Sequence, residues 1–287
     1  METKTAYYDI KETPTWYVDK IPAFCINLER RLDRWNQFTN QKALHDLPNV
    51  KRFIGVDGST LDIMKDPRIP LYTKKNIKNK MRRAHEELST AGGIGCALSH
   101  IAVWEWIVQN QAAITMIFED DAKVPNNFVP YMNQVIEKSP TLKDTSQWEL
   151  LTLTDQCSTP IRIPSDPFVQ EVEGFVGFQC YFLTLECAKR LLTEAYSLHL
   201  HIDLWTAVFK QVHGLKIICI KNLTVGQRSS KTDIQEANRC KICDINPTFY
   251  KTHDIIRKEE IWLTRAVEIA LAAGFLYAGY QFITRKG

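Results

Sequence analysis

The chain has 287 residues, with 45% hydrophobic and 24% charged residues and a formal net charge of +3. That balance belongs to a folded globular protein with a sizeable core and excludes wholesale disorder. So small a charge gives no case for a nucleic-acid binder, which should carry a concentrated basic footprint.

Met1 to Lys20 is polar and charged, shows no secretory signal, and reads as an N-terminal extension (1–20). Ile21 to Leu28 is a short apolar run, expected as a buried strand. A charged amphipathic stretch follows from Glu29, with Leu32, Trp35 and Phe38 at helical spacing. Arg52 to Val56 is a second strand candidate, closed by the turn signal Asp57-Gly58-Ser59. Strand, helix and strand in this order suggest the βαβ opening of a nucleotide-binding α/β domain. A polar stretch runs on to Ser89. Within it, Lys74 to Arg83 is the densest basic segment, either a solvated face or a phosphate- or lipid-contacting patch.

Ala91-Gly92-Gly93-Ile94-Gly95-Cys96 leads into a helix over Leu98 to Val108, and Ala113 to Phe118 is a continuously apolar strand. Such a run suits a central parallel strand covered on both sides. Further strands are expected at Trp148 to Leu153, Gly177 to Leu185 and Lys216 to Ile220, and helices over Glu186 to Tyr196 and from His201 onward. The alternation predicts an α/β domain over residues 21–250, with 251–287 a C-terminal helical segment. In that segment Ile269 to Ile283 is apolar but falls short of the roughly twenty residues of a spanning helix. It reads as a helix docked on the domain or as a membrane-associated tail.

The eight cysteines do not read as a disulfide framework in a chain of this length. Cys25, Cys96, Cys180 and Cys219 sit in apolar runs as small hydrophobes. Cys240 and Cys243 have ligand-like spacing, yet no second such pair exists to complete a zinc site.

The strongest chemical signal is Glu119-Asp120-Asp121, where the apolar strand stops. Open α/β sheets bind ligands beyond the carboxyl ends of their strands. Carboxylates there can hold a hard divalent cation through oxygen, or they can form a turn and a helix cap. In an extended chain Glu119 and Asp121 share a face and Asp120 points away. The glycines at 92, 93 and 95 allow close backbone approach, and a helix start suits phosphate. Ser99 and His100 are either ligand contacts or buried helix residues. Arg30, Arg31 and Arg34, near Asn27 and Asp33, are either phosphate grips or exposed helix charges.

Ile26-Asn27-Leu28-Glu29-Arg30-Arg31-Leu32-Asp33-Arg34-Trp35, Val56-Asp57-Gly58, Gly95-Cys96-Ala97-Leu98-Ser99-His100 with Trp104, and Ile117-Phe118-Glu119-Asp120-Asp121 together resemble glycosyltransferase family 25. Trp148 to Leu151, Ala188 to Leu192, Ile202-Asp203 and Gly226-Gln227 continue the resemblance in order to about residue 236. It implies a GT-A-like fold with a mixed, mostly parallel central sheet flanked by helices. It also implies a UDP-sugar donor, manganese or magnesium, and inversion at the anomeric carbon. The acceptor would be a hydroxyl of a glycan, a lipid-linked glycan or a protein. Glu119 and Asp121 are then the expected metal ligands, and Asn27, Arg34, Asp57, Gly95, Ser99, His100 and Asp120 the expected donor contacts. Asp203 is the candidate base for the acceptor hydroxyl. Two positions depart from the family's usual pattern: Gly93 stands where glutamate is common, and His201 where proline is usual.

Overall fold

The computed structural model describes residues 16–80, 86–228 and 234. The Cys240–Cys243 pair, the Arg82–Arg83 end of the basic segment and the apolar run 269–283 lie outside the described residues.

Ten strands and seven helices are described: β1 (Ala23–Leu28), α1 (Leu32–Thr39), β2 (Val50–Gly55), α2 (Leu71–Asn79), α3 (Ala91–Gln109), β3 (Ile114–Glu119), β4 (Ala122–Lys123), α4 (Phe128–Lys138), α5 (Pro140–Lys143), β5 (Leu150–Thr152), β6 (Cys157–Arg162), β7 (Val169–Phe175), β8 (Cys180–Thr184), α6 (Leu185–Leu192), α7 (Ile202–His213), β9 (Ile217–Ile220) and β10 (Gly226–Gln227). Eight strands form one sheet in the order β2-β1-β3-β8-β5-β9-β7-β6. The fold is α/β with a mixed central sheet flanked by helices. Parallel pairing is confined to β2-β1-β3 and β5-β9. The other neighbours, β3-β8, β8-β5, β9-β7 and β7-β6, are antiparallel. The sheet is therefore less parallel than expected: β8 runs against β3, and the β6–β7 hairpin closes one edge.

Alternation along the central strands divides the core in two. Ile117, Tyr181, Leu183 and Ile217 face a cluster built with α3, α6 and α7, whereas Met116, Phe118, Phe182 and Ile218 face one built with α1, α4 and α5. Period two on strands buried on both faces produces this three-layer arrangement. Trp16 packs against Trp148 and Phe182, with ring centroids 5.9 and 5.6 Å apart, and so adds to the second cluster. Helix α3 is long and apolar enough to cross a membrane, but most of it is buried as a core helix.

Two glycines set how α3 meets the sheet. A Cβ on Gly58 would lie 1.7 Å from the Ala91 carbonyl oxygen, and one on Gly95 would lie 2.5 Å from that of Val56. Backbone thus packs on backbone where the loop after β2 crosses the first turns of α3. Ser99 secures the contact, donating to the Gly95 carbonyl at 2.6 Å and accepting from the Val56 amide at 2.8 Å. Gly58→Ala and Gly95→Ala should each cost ~3 kcal/mol or more in denaturant unfolding, because neither backbone can yield. Gly226→Ala, whose Cβ would meet nothing within 4 Å, should stay within about 0.5 kcal/mol of the parent.

Candidate functional site

The carboxyl ends of the parallel strands β1, β2 and β3 open on one side of the sheet, and a cavity of about 510 Å³ lies beyond them. Residues 26–28 at the end of β1, 56–59 after β2 and 119–121 at and after the end of β3 line it, with Ala91, Gly92, Cys96, Ser99 and His100 from α3. Its size suits a small-molecule ligand. Arg30, Arg34 and Lys80 bring positive charge to the same lining.

Strand β3 stops at Glu119, and Asp120 and Asp121 form a turn before β4. The period-two alternation therefore ends there, and the three carboxylates turn to three different sets of partners. Asp120 is buried and doubly held. Arg34 Nη1 donates to its Oδ1 at 2.8 Å, and Asn27 Nδ2 to its Oδ2 at 2.6 Å. Asn27 is itself filled, donating also to the Arg31 carbonyl and accepting from Arg52 Nε at 2.8 Å. Asp121 Oδ2 accepts from Gln227 Nε2 at 3.0 Å, while its Oδ1 is buried with no hydrogen-bond partner. Glu119 Oε1 lies 3.3 Å from His100 Nε2 and 4.0 Å from Cys96 Sγ.

Cys96, His100 and Glu119 form the one group of three or more potential ligand atoms within 4.8 Å of one another among the described residues. An orphaned Asp121 oxygen beside a second acidic side chain is a donor set that fits a hard divalent cation. Burial pushes the Glu119 carboxyl up to about 8, reinforced by Asp203 and Asp120, and the Asp121 carboxyl up to about 6, reinforced by Glu119. Burial also takes the His100 imidazole down to about 3, so it is neutral at physiological pH.

The remaining expected residues sit as follows. Asp57 lines the cavity and caps the short 3-10 turn Gly58–Thr60 through the Ser59 amide, while Arg30 Nε donates to it at 2.6 Å. The Ser59 hydroxyl and then Arg30 hold its carboxyl below the usual range. Ser99 and His100 line the cavity, but Gly95 does not; its role is the close helix contact. Asp203, at the start of α7, also lies outside the lining. Its Oδ2 accepts from the Gly177 amide at 2.7 Å and its Oδ1 from the Leu204 amide at 2.9 Å. Gly93 is buried, and a Cβ there would stand 2.7 Å from Leu88 Cδ2 and 3.7 Å from His201 Cε1. The two departures from the family pattern are thus neighbours.

Two contributors, Arg228 and Tyr181, escape a reading of the sequence, and a third, Gln227, enters it only through the resemblance, with no role attached. Strand β10 pairs antiparallel with β4, which brings Gln227 to Asp121 and Arg228 to the Asp120 carbonyl at 2.5 Å. Tyr181, on β8, reaches His100 on the sheet face that packs against α3. A two-residue strand and a core tyrosine carry no local signature. Only their pairing across the fold reveals them.

The raised carboxyls have a consequence for stability. Glu119 and Asp121 hold protons more tightly folded than unfolded, so stability without a cation falls as pH rises from about 4 through about 6 and 8. Thermal midpoints in chelator-treated buffer should drop across that window, and Glu119→Gln and Asp121→Asn should each flatten the drop. Arg34→Ala acts differently. It leaves Asp120 buried without its guanidinium and should cost about 3–5 kcal/mol in denaturant unfolding.

Residues 20–206 match the profile of the family described as glycosyltransferase family 25 (LPS biosynthesis protein). A "Glycosyltransferase 25 family member" of Aedes aegypti is 28% identical over 199 residues, covering 65% of this chain and 31% of the relative. The mouse "Procollagen galactosyltransferase 2" is 24% identical over 205 residues, 69% of this chain and 32% of the relative. A bovine "Probable inactive glycosyltransferase 25 family member 3" is 36% identical over 111 residues, 37% of this chain and 18% of the relative. The alignments thus span at most about a third of these curated relatives. With the profile matched over most of its length, the chain belongs to glycosyltransferase family 25.

Proposed function

We propose that this chain is an inverting, metal-dependent glycosyltransferase that moves a hexose from a UDP-sugar to a hydroxyl of a glycan, a lipid-linked glycan or a protein. The observation that carries the reading is the carboxylate turn after β3, open on the cavity, with Asp121 Oδ1 buried and unpartnered. Glu119 and Asp121 would hold Mn²⁺ or Mg²⁺, which supplies charge neutralisation for the departing diphosphate. Arg30 and Lys80 add positive charge along the same wall, and Asp57 and Ser59 form its polar end beyond β2. Galactose and glucose are the favoured sugars, and relatives named procollagen galactosyltransferase favour galactose.

Inversion in one displacement needs a base for the acceptor proton, and Asp203 is assigned that role. The Gly177 and Leu204 amides each occupy one lone pair of its carboxylate, fixing its orientation and leaving others to accept a proton. Its closeness to Glu119 is felt in the raised Glu119 carboxyl.

A second reading, a catalytically silent glycan-binding or scaffold protein, draws on Gly93 and on relatives named inactive. A screen for UDP release with UDP-galactose and UDP-glucose separates the two. Manganese-dependent release is expected, with Asp121→Ala abolishing it and Asp203→Asn lowering it roughly a hundred- to ten-thousand-fold. Turnover unchanged by a chelator or by Asp121→Ala would overturn the metal role. No UDP-sugar binding by calorimetry would favour the silent protein. Membrane contact through 269–283 is a separate proposal; full recovery of the whole chain in the soluble fraction without detergent would count against it.

A further inference from the structure

A buried chain of hydrogen bonds runs from the core to Glu119. Trp104 Nε1 donates to the Tyr181 hydroxyl at 3.0 Å, that hydroxyl lies 2.9 Å from His100 Nδ1, and His100 Nε2 lies 3.3 Å from Glu119 Oε1. Trp104, Tyr181 and His100 are each at most 1% exposed, so water cannot substitute for a missing partner. The indole is a donor only, and it therefore fills a lone pair of the Tyr181 oxygen. The phenol hydrogen then has one polar partner left among the described residues, His100 Nδ1. Nδ1 must accept, so the imidazole proton sits on Nε2 and points at Glu119 Oε1. The opposite tautomer would leave the Tyr181 hydrogen buried without an acceptor, at a cost comparable to a lost buried hydrogen bond. This holds whether or not Glu119 is itself protonated, since Oε1 can accept in either state.

We propose that Tyr181 and Trp104 are positioning residues that lock His100 as the Nε2–H tautomer, so that His100 donates to Glu119 Oε1 instead of offering a lone pair to a cation. Cys96, one helical turn before His100 on α3, presents its thiol to the same oxygen. With Oε1 engaged from α3, Oε2 has no protein donor among the described residues and is the Glu119 oxygen that meets the cation. The compact Cys96-His100-Glu119 group is then a cradle for one carboxylate ligand, with its imidazole acting through Glu119. The cation part of this assignment rests on the function proposed above; the tautomer does not.

The test is long-range ¹⁵N–¹H correlation spectroscopy on the full chain with ¹⁵N-labelled histidine, with His100 assigned by its loss in His100→Gln. The expected pattern is a protonated Nε2 and an unprotonated Nδ1, unchanged when Mg²⁺ is added. A protonated Nδ1, or an Nε2 shift of the metal-bound kind on adding Mg²⁺ or Zn²⁺, would overturn the proposal. Tyr181→Phe should mix the tautomers and raise the Mn²⁺ concentration for half-maximal UDP release by roughly 3- to 10-fold, with the rate at saturating Mn²⁺ nearly retained. Loss of rate with an unchanged Mn²⁺ requirement would contradict positioning. The wild-type spectrum decides the tautomer even if Tyr181→Phe fails to fold. The expected tautomer in a protein that releases no UDP would sink the proposed function and leave the hydrogen-bond assignment standing.

Discussion

A carboxylate buried at the end of a strand must be paired or neutral, and Asp120 is paired through both oxygens. Arg34 comes from α1 and Asn27 from the end of β1, so the knot ties the tip of β3 to its parallel neighbour and to the helix that follows it. With Asp120 held on that side, the chain can turn, and the carboxylates before and after it go to other walls. Glu119 meets α3 and Asp121 meets β10. A buried ion pair of this kind adds little net stability over an apolar packing, but breaking one half is costly. Its effect here is directional. It decides where the two remaining carboxylates point.

The second constraint is steric. Gly58 and Gly95 let the loop after β2 lie directly on the first turns of α3, which brings the polar side chains of that helix to the strand ends. The 92–95 glycines invite a phosphate-binding reading, and the structure places them in two different settings. Gly92 lines the cavity, whereas Gly95 serves the packing that forms it. The same physical property, absence of a Cβ, permits both uses, and spacing alone cannot separate them.

Much of the fold was legible because apolar runs are long where strands are covered on both faces. β1, β3, β8 and β9 and the helices α6 and α7 fall close to where the pattern puts them, whereas α3 starts at Ala91, seven residues before the expected Leu98, and takes the glycines into its first turns. The hairpin β6–β7 was not legible. Pro160 and Gly174 interrupt it, and Arg162, Glu171 and Glu173 put charge on it. Helix α4 was missed as well, although Phe128, Met132, Val135 and Ile136 share its buried side; Pro130 in its first turn masks the period. For the site, local sequence gave Glu119, Asp121 and His100 but could not give their roles. The partners that hydrogen-bond to His100 and Asp121, Tyr181 and Gln227, lie far along the chain. The Gly93 and His201 departures look independent in sequence and prove to be one region of packing.

The contact between Gln227 and Asp121 spans 106 positions of the chain. Synthesis runs from the N-terminus, so the acidic turn leaves the ribosome well before the amide that orients one of its members. Closing so distant a contact carries the entropy of a long loop and belongs to the slow part of folding. The sheet can therefore form around an acidic turn whose last partner is still missing. Chain order itself makes the final arrangement of the acidic turn a late property of the molecule, acquired when β10 finds β4.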